Sequence, residues 1–238
     1  MGGVCVVSRR RSMAKQSGRE RASATGPTAR ISLDATLVAG WQRVVFYAVT
    51  AGKAARIHEV SAEGGTPRQL MPDDPSQQFD PNYSPDGSKI VFGGAANDPA
   101  STIRVLDLKT RQVSTLPGSQ GFFSPRWSPD GRYIVALTFD TSGLELFDFQ
   151  TEKWTELAKG TLGPFPNWSK DGQFVYALAV NAPGKVLRVR ISGRKVEEVA
   201  DMKTFTSTGS LALAPDDSIL VLRDTGTDDV YGLDWEER

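Results

Sequence analysis

Four aspartates recur along the chain, Asp86, Asp130, Asp171 and Asp216, at spacings of 44, 41 and 45 residues. Carboxylates gathered this way could in principle act as acids and bases or hold a cation. Adjacent acidic pairs, Asp73-Asp74, Asp216-Asp217 and Asp228-Asp229, add to the list. Two carboxylates cleave a glycosidic bond only at a set separation across a cleft, and neighbouring loop aspartates do not imply that. A weak calcium site at such loops is the one metal chemistry they suggest. The remaining chemistry is sparse. His58 is the only histidine and Cys5 the only cysteine, so the usual zinc sets and an intramolecular disulfide cannot be assembled. His58 falls within an apolar–polar alternation and reads as a structural histidine. The Gly-x-Ser-x-Gly elbow, the phosphate-binding G-x-x-x-x-G-K-[ST] loop and the kinase motif set are missing. These residues predict no catalytic residue, no metal and no cofactor.

The residues around each aspartate explain it differently. "NYSPDGSKIVFGG" (82–94) is followed by "PRWSPDGRYIVALT" (125–138), "PNWSKDGQFVYALA" (166–179) and, more weakly, "LALAPDDSILVLRD" (211–224). In Ser84-Pro85-Asp86-Gly87 the proline pre-sets φ, Ser and Asp bond nearby backbone, and Gly accepts the exit conformation. Ser128-Pro129-Asp130-Gly131 is identical, and Ser169-Lys170-Asp171-Gly172 loses only the proline. Ala214-Pro215-Asp216-Asp217 puts Asp in place of Gly, which Asp tolerates better than most residues. The aspartates are therefore expected to form turns.

These turns must join strands. Past each marker comes a second alternating run: "IRVLDL" (103–108), "LELFDF" (144–149), "VLRVRI" (186–191) and "VYGLDW" (230–235). A polar turn and a short outer strand follow, as in "QVSTL" (112–116), "KWTEL" (153–157) and "KVEEVA" (195–200). An eroded copy lies upstream, with "VVFYAVT" (44–50), "RIHEVSA" (56–62) and "PRQLM" (67–71). Four strands repeating every forty-odd residues predict an all-β propeller of about five four-stranded antiparallel blades. The units fall at about 29–74, 75–118, 119–160, 161–204 and 205–238. Tyr83, Trp127, Trp168 and Leu213 share one position on the innermost strand and are expected to pack between blades. Because the last unit reaches only its third strand, "ARISL" (29–33) is expected to complete it and close the ring; the rival is an open arc of a larger propeller.

The pattern "PRWSPDGRYIV" and the stretch "RIHEVSAEGGTPRQL" (56–70) resemble the TolB-like propeller repeat, a WD40-like family, over roughly residues 40–235. That resemblance implies a scaffold more than a function. Within the family this chain resembles, TolB itself is a periplasmic six-bladed propeller that binds a lipoprotein partner. Similar ones follow bacterial kinase domains or winged-helix regulators as sensor or interaction modules, and others cap prolyl-oligopeptidase-type enzymes. The chain departs from TolB in having about five units rather than six, in the eroded first unit and in lacking a helical N-terminal domain.

Charge and composition narrow the partners. Lys+Arg and Asp+Glu each number 28, so no global pull toward nucleic acid is expected for the propeller. Within residues 1–30 seven cations (Arg9, Arg10, Arg11, Lys15, Arg19, Arg21, Arg30) face only Glu20, leaving −6 for the rest. Residues 1–28 read as a disordered basic tail. Arg9-Arg10-Arg11 is not followed by the apolar stretch of an export signal, and no run is long enough to span a membrane. No compartment is selected.

The expected function is a non-catalytic protein-interaction or sensor module, acting as a monomer on a protein or peptide partner. One alternative is an enzyme with a site at the channel mouth, a hydrolase or lyase. Another is the detached C-terminal end of a kinase or transcription regulator. A partner is expected at the rim where loops meet the innermost strands: Asp80, Asn82, Ser124, Arg126, Phe165 and Asn167. There the residue types vary while their neighbours repeat.

Overall fold

The computed structural model describes residues 4–9, 30–31, 42–50, 52–160, 162–163, 165–180, 182, 184–202 and 207–224. They form strands only, in five sheets, arranged as a propeller. The first sheet is β2 (Arg30–Ile31), β3 (Arg43–Val49), β4 (Arg56–Ser61) and β5 (Arg68–Gln69). The second is β6 (Phe79–Tyr83), β7 (Lys89–Gly93), β8 (Arg104–Asp107) and β9 (Val113–Thr115). The third is β10 (Phe122–Trp127), β11 (Tyr133–Thr138), β12 (Gly143–Asp148) and β13 (Lys153–Lys159). The fourth is β14 (Asn167–Trp168), β15 (Phe174–Leu178), β16 (Lys185–Arg190) and β17 (Val196–Asp201). In these four, consecutive strands pair antiparallel in chain order. The fifth holds β18 (Ser207–Leu213) and β19 (Ile219–Asp224), with β1 (Val4–Arg9) parallel to β19.

Both ends depart from expectation. Arg30–Ile31, the described part of "ARISL", pairs with Ala48 and Val49 of β3 and so completes the first sheet and not the last. Pairing follows proximity: β3 begins only a dozen residues on, and closing a short loop costs less entropy than closing the whole ring. The strand added to the last sheet is instead Val4–Arg9, within the stretch read as a basic tail. The segment 230–235, expected as a third strand, lies outside the described residues.

The core is a set of slabs between sheets. In β7, Ile90 and Phe92 face the first sheet and pack with Val45, Ile57, Leu70 and Tyr83. Val91, between them, faces the third sheet and packs with Ile134, Ala136 and Phe147. The period-2 alternation of a strand thus buries both faces, which is why the second strands are almost wholly apolar. The aromatic column packs in these slabs as expected: Tyr83 in the first, Trp127 in the second and Trp168 in the third. Trp127 stacks on Phe149 with centroids 4.9 Å apart and planes 4° apart. The outer strand β9 is exposed throughout.

The turns lock by a repeated network. Ser84 Oγ donates to Asp86 Oδ1 at 2.6 Å and accepts from the Lys89 N–H at 2.9 Å. Ser128 with Asp130 and Ser169 with Asp171 repeat this, also at 2.6 Å. Ser84 and then Ser88 hold the Asp86 carboxyl below its ordinary range, and Ser169 and the Gln173 N–H do so for Asp171. The recurring aspartates are turn formers.

Candidate functional site

The innermost strands meet from sheet to sheet, and β6, β10, β14 and the residue two before β14 carry the six predicted positions. Three share a backbone feature that no residue type announces. Asp80, Ser124 and Phe165 all adopt left-handed φ, at 51°, 52° and 65°, and each precedes a proline. A non-glycine side chain there is strained, and a following proline narrows its options further. The ladder breaks at this step between Phe79 and Asn82 and between Phe123 and Arg126, as a β-bulge does. Strain repeated in three consecutive sheets marks a position the fold over-determines.

The bulge aims side chains at the neighbouring sheet. Asn82 Oδ1 accepts from the Trp127 N–H at 2.8 Å. Ser124, fully buried, accepts from the Phe165 N–H at 3.1 Å. Asn167 Nδ2 donates to Leu211 O at 2.9 Å and to Phe165 O at 2.8 Å. Arg126 Nη1 donates to Pro125 O at 2.8 Å and to Asp80 O at 3.4 Å, with its guanidinium 5.8 Å from the Phe165 ring centroid. Trp168 Nε1 returns a bond to Arg126 O at 3.1 Å. All six predicted residues therefore lie along one inner seam, and four of them, Asp80, Asn82, Ser124 and Arg126, are buried. Through these bonds the seam ties the second sheet to the third, the third to the fourth and the fourth to the fifth.

His58 sits on β4. Its Nδ1 bonds Arg56 O at 3.0 Å and therefore carries the proton, and its ring stacks on Phe46 at 5.7 Å. Asp74 pairs with Arg104 at 2.8 Å. Burial works to raise its carboxyl, but the Ser76 N–H and the Arg104 charge outweigh this and hold it low. Asp228 and Asp229 lie outside the described residues. Among the described residues no three His, Cys, Asp or Glu side chains gather as a metal site, and no helix is long and apolar enough to cross a membrane.

The repeat reading missed a second constellation. Glu59, on β4, is 6% exposed. Its Oε2 accepts from Arg43 at 3.0 Å and Arg68 at 3.1 Å, and its Oε1 accepts from the Tyr83 hydroxyl of the next sheet at 2.7 Å. Burial, and then the bond to Glu59, push the Tyr83 hydroxyl well above its ordinary range. A signal was present in the sequence. Glu59 pairs across from Val45 where Val105 pairs with Val91 and Leu146 with Val135. A carboxylate in an apolar column demands partners.

No family model matches the chain. Comparison with solved structures finds TolB from Acinetobacter baumannii at a TM-score of 0.60 and 21% identity, over 74% of this chain and 44% of that one. A protein assigned as TolB from Agrobacterium tumefaciens gives 0.60 and 18%, over 80% and 73%. The fold is a TolB-like β-propeller. This chain spans less than half of the Acinetobacter protein. A prolyl endopeptidase matches at only 0.47, too low to bear on function.

Proposed function

We propose that this TolB-like propeller is a non-catalytic protein-interaction module. The observation that supports this is the inner seam. A constant bracket of left-handed residue plus proline is followed by Asn82, Arg126 and Asn167 in successive sheets, an arginine standing between two asparagines. A rigid scaffold with binding residues on its connecting segments is a common arrangement, and the half-buried Phe165 and Asn167 are the part of the seam open to a partner. The seam's hydrogen bonds run mainly to backbone carbonyls and N–H groups, which holds the sheets in fixed relation and gives a partner a rigid target. The partner is read as a protein or peptide segment docking at the inner-strand mouth.

The test has two arms on one preparation. A photo-crosslinking residue placed at Phe165 is expected to trap a discrete protein adduct in cells. Wild-type protein is expected to show no turnover on a panel of glycans and peptides. Robust turnover that disappears in Asp80→Ala or Arg126→Ala would overturn the reading in favour of an enzyme.

A further inference from the structure

Glu59 holds two arginines whose outer faces are open. The Arg43 side chain is 59% exposed and that of Arg68 64%, although both meet the same buried oxygen. One cation neutralises a carboxylate, and the Tyr83 hydroxyl already satisfies the other oxygen. The second arginine is in excess. Each guanidinium carries five N–H donors in a fixed plane, and contact with Glu59 fixes that plane while leaving donors outward.

Two clefts flank the pair and share Gln42, Arg43 and Glu59. One, of about 420 Å³, continues to Ser61, Thr66 and Arg68. The other, of about 540 Å³, crosses to the second sheet and is walled by Ser88, Leu108 and Lys109. With Lys109 included, the charged residues lining the clefts are three cations and one carboxylate, a lining charge of +2, with Asp86 and Asp107 behind Ser88 and the Lys109 N–H.

Resting on the interaction reading above, we propose that these paired clefts bind an acidic segment of the protein partner, with Arg43 and Arg68 each receiving a carboxylate. Planar guanidinium forks match carboxylate oxygens bidentately, and Lys109 adds a point charge at the far end. Two adjoining clefts separated by one arginine suit two acidic side chains on one extended chain better than a single small anion. The apolar wall at Leu108 suits the methylene stem of a glutamate. The clefts lie at the junction of the first and second sheets and share no lining residue with the inner seam, so a partner reaching both would be held at two points.

The probe is a blocked peptide of alternating Glu and Gly, titrated at low ionic strength while backbone amide shifts are followed. Saturable shifts are expected at residues 42–43, 59–68, 87–88 and 108–109. Arg43→Gln and Arg68→Gln should each weaken binding at least about fivefold, and Lys109→Gln about twofold to threefold. Glu59→Gln raises the net charge by one yet should weaken binding, because the arginines lose their anchor. Arg43→Lys keeps the charge, loses the fork and should also weaken it, which covers the case where Glu59→Gln does not fold. Equal shifts from the Gln-Gly peptide, wild-type affinity in Arg43→Lys, or tighter binding by Glu59→Gln would overturn the proposal. Inorganic phosphate matching the peptide in affinity would reassign the clefts to small anions and overturn it too. Failure here is distinguishable from failure of the interaction reading. A trapped partner adduct without peptide shifts sinks this inference alone, whereas turnover lost in Arg126→Ala sinks the interaction reading.

Discussion

At the scale of single residues, the aspartates illustrate how a chemical group can serve geometry. Asp86 and Asp171 accept serine hydroxyls, and Asp216 accepts from Ser218, which holds its carboxyl below the ordinary range as well. A carboxyl lowered in the folded state adds stability that is present above its unfolded pKa, about 3.9, and lost as pH falls through the folded value. Acid unfolding monitored by tryptophan fluorescence should therefore begin below about pH 4. Ser84→Ala should flatten that acid dependence. Tyr83 has the opposite sense. Its raised hydroxyl contributes stability that is present below the unfolded value near pH 10 and is lost as pH rises beyond it. Tyr83→Phe should remove this alkaline loss. It should also cost about 2 kcal/mol at neutral pH, the usual worth of a hydrogen bond to a charged group, measured by urea unfolding.

At the scale of elements, neighbouring turns are fitted to one another. The Pro85 ring lies 3.8 Å from where a Cβ on Gly131 would stand, and Pro129 lies 3.7 Å from the same place on Gly172. In the next pair both partners change. Lys170 replaces the proline and regains an N–H, and that N–H donates at 2.8 Å to Asp217, which replaces the glycine. Two departures that look like erosion in separate repeats are a single compensated pair. Lys170→Pro alone leaves Asp217 without this donor, and Asp217→Gly alone leaves the N–H without its acceptor. The double variant restores the proline-on-glycine contact. A double-mutant cycle should show a coupling of about 0.5–1.5 kcal/mol, with the double variant more stable than the sum of the singles implies. Zero coupling would mean that the bond contributes nothing beyond the turns themselves.

At the scale of the molecule, stability rests on contacts between sheets, because each slab of core belongs to two of them. Ser124→Ala removes the acceptor for the half-buried Phe165 N–H and should cost about 1 kcal/mol, the net worth of a typical hydrogen bond. The loss should appear in hydrogen exchange as joint weakening of the third and fourth sheets. Residues 1–10 make a further test. They contain β1, which pairs with β19, so their deletion should speed exchange in β18 and β19 and leave the second and third sheets protected. Unchanged exchange throughout would show that β1 adds nothing to the fifth sheet.

The sequence by itself determined the repeat, the four-stranded unit, the turn role of the aspartates and the packing of the aromatic column. Each of these follows from local periodicity and turn chemistry, which the chain carries within a few residues. It also located the inner seam through the varied residue after each motif proline. Tertiary structure alone decided what that seam does. The left-handed bulge at Asp80, Ser124 and Phe165 is a backbone conformation, and the bonds of Asn82, Arg126 and Asn167 end on residues about 45 positions away or cross to another sheet. The same holds for "ARISL", assigned to the last sheet by the logic of ring closure but paired in its described part, Arg30–Ile31, with the nearer β3. Glu59 with Arg43, Arg68 and Tyr83, and Lys170 with Asp217, join residues whose meeting depends on how one sheet stacks on the next. No periodicity encodes that stacking, because it is fixed only when both faces of each sheet are buried.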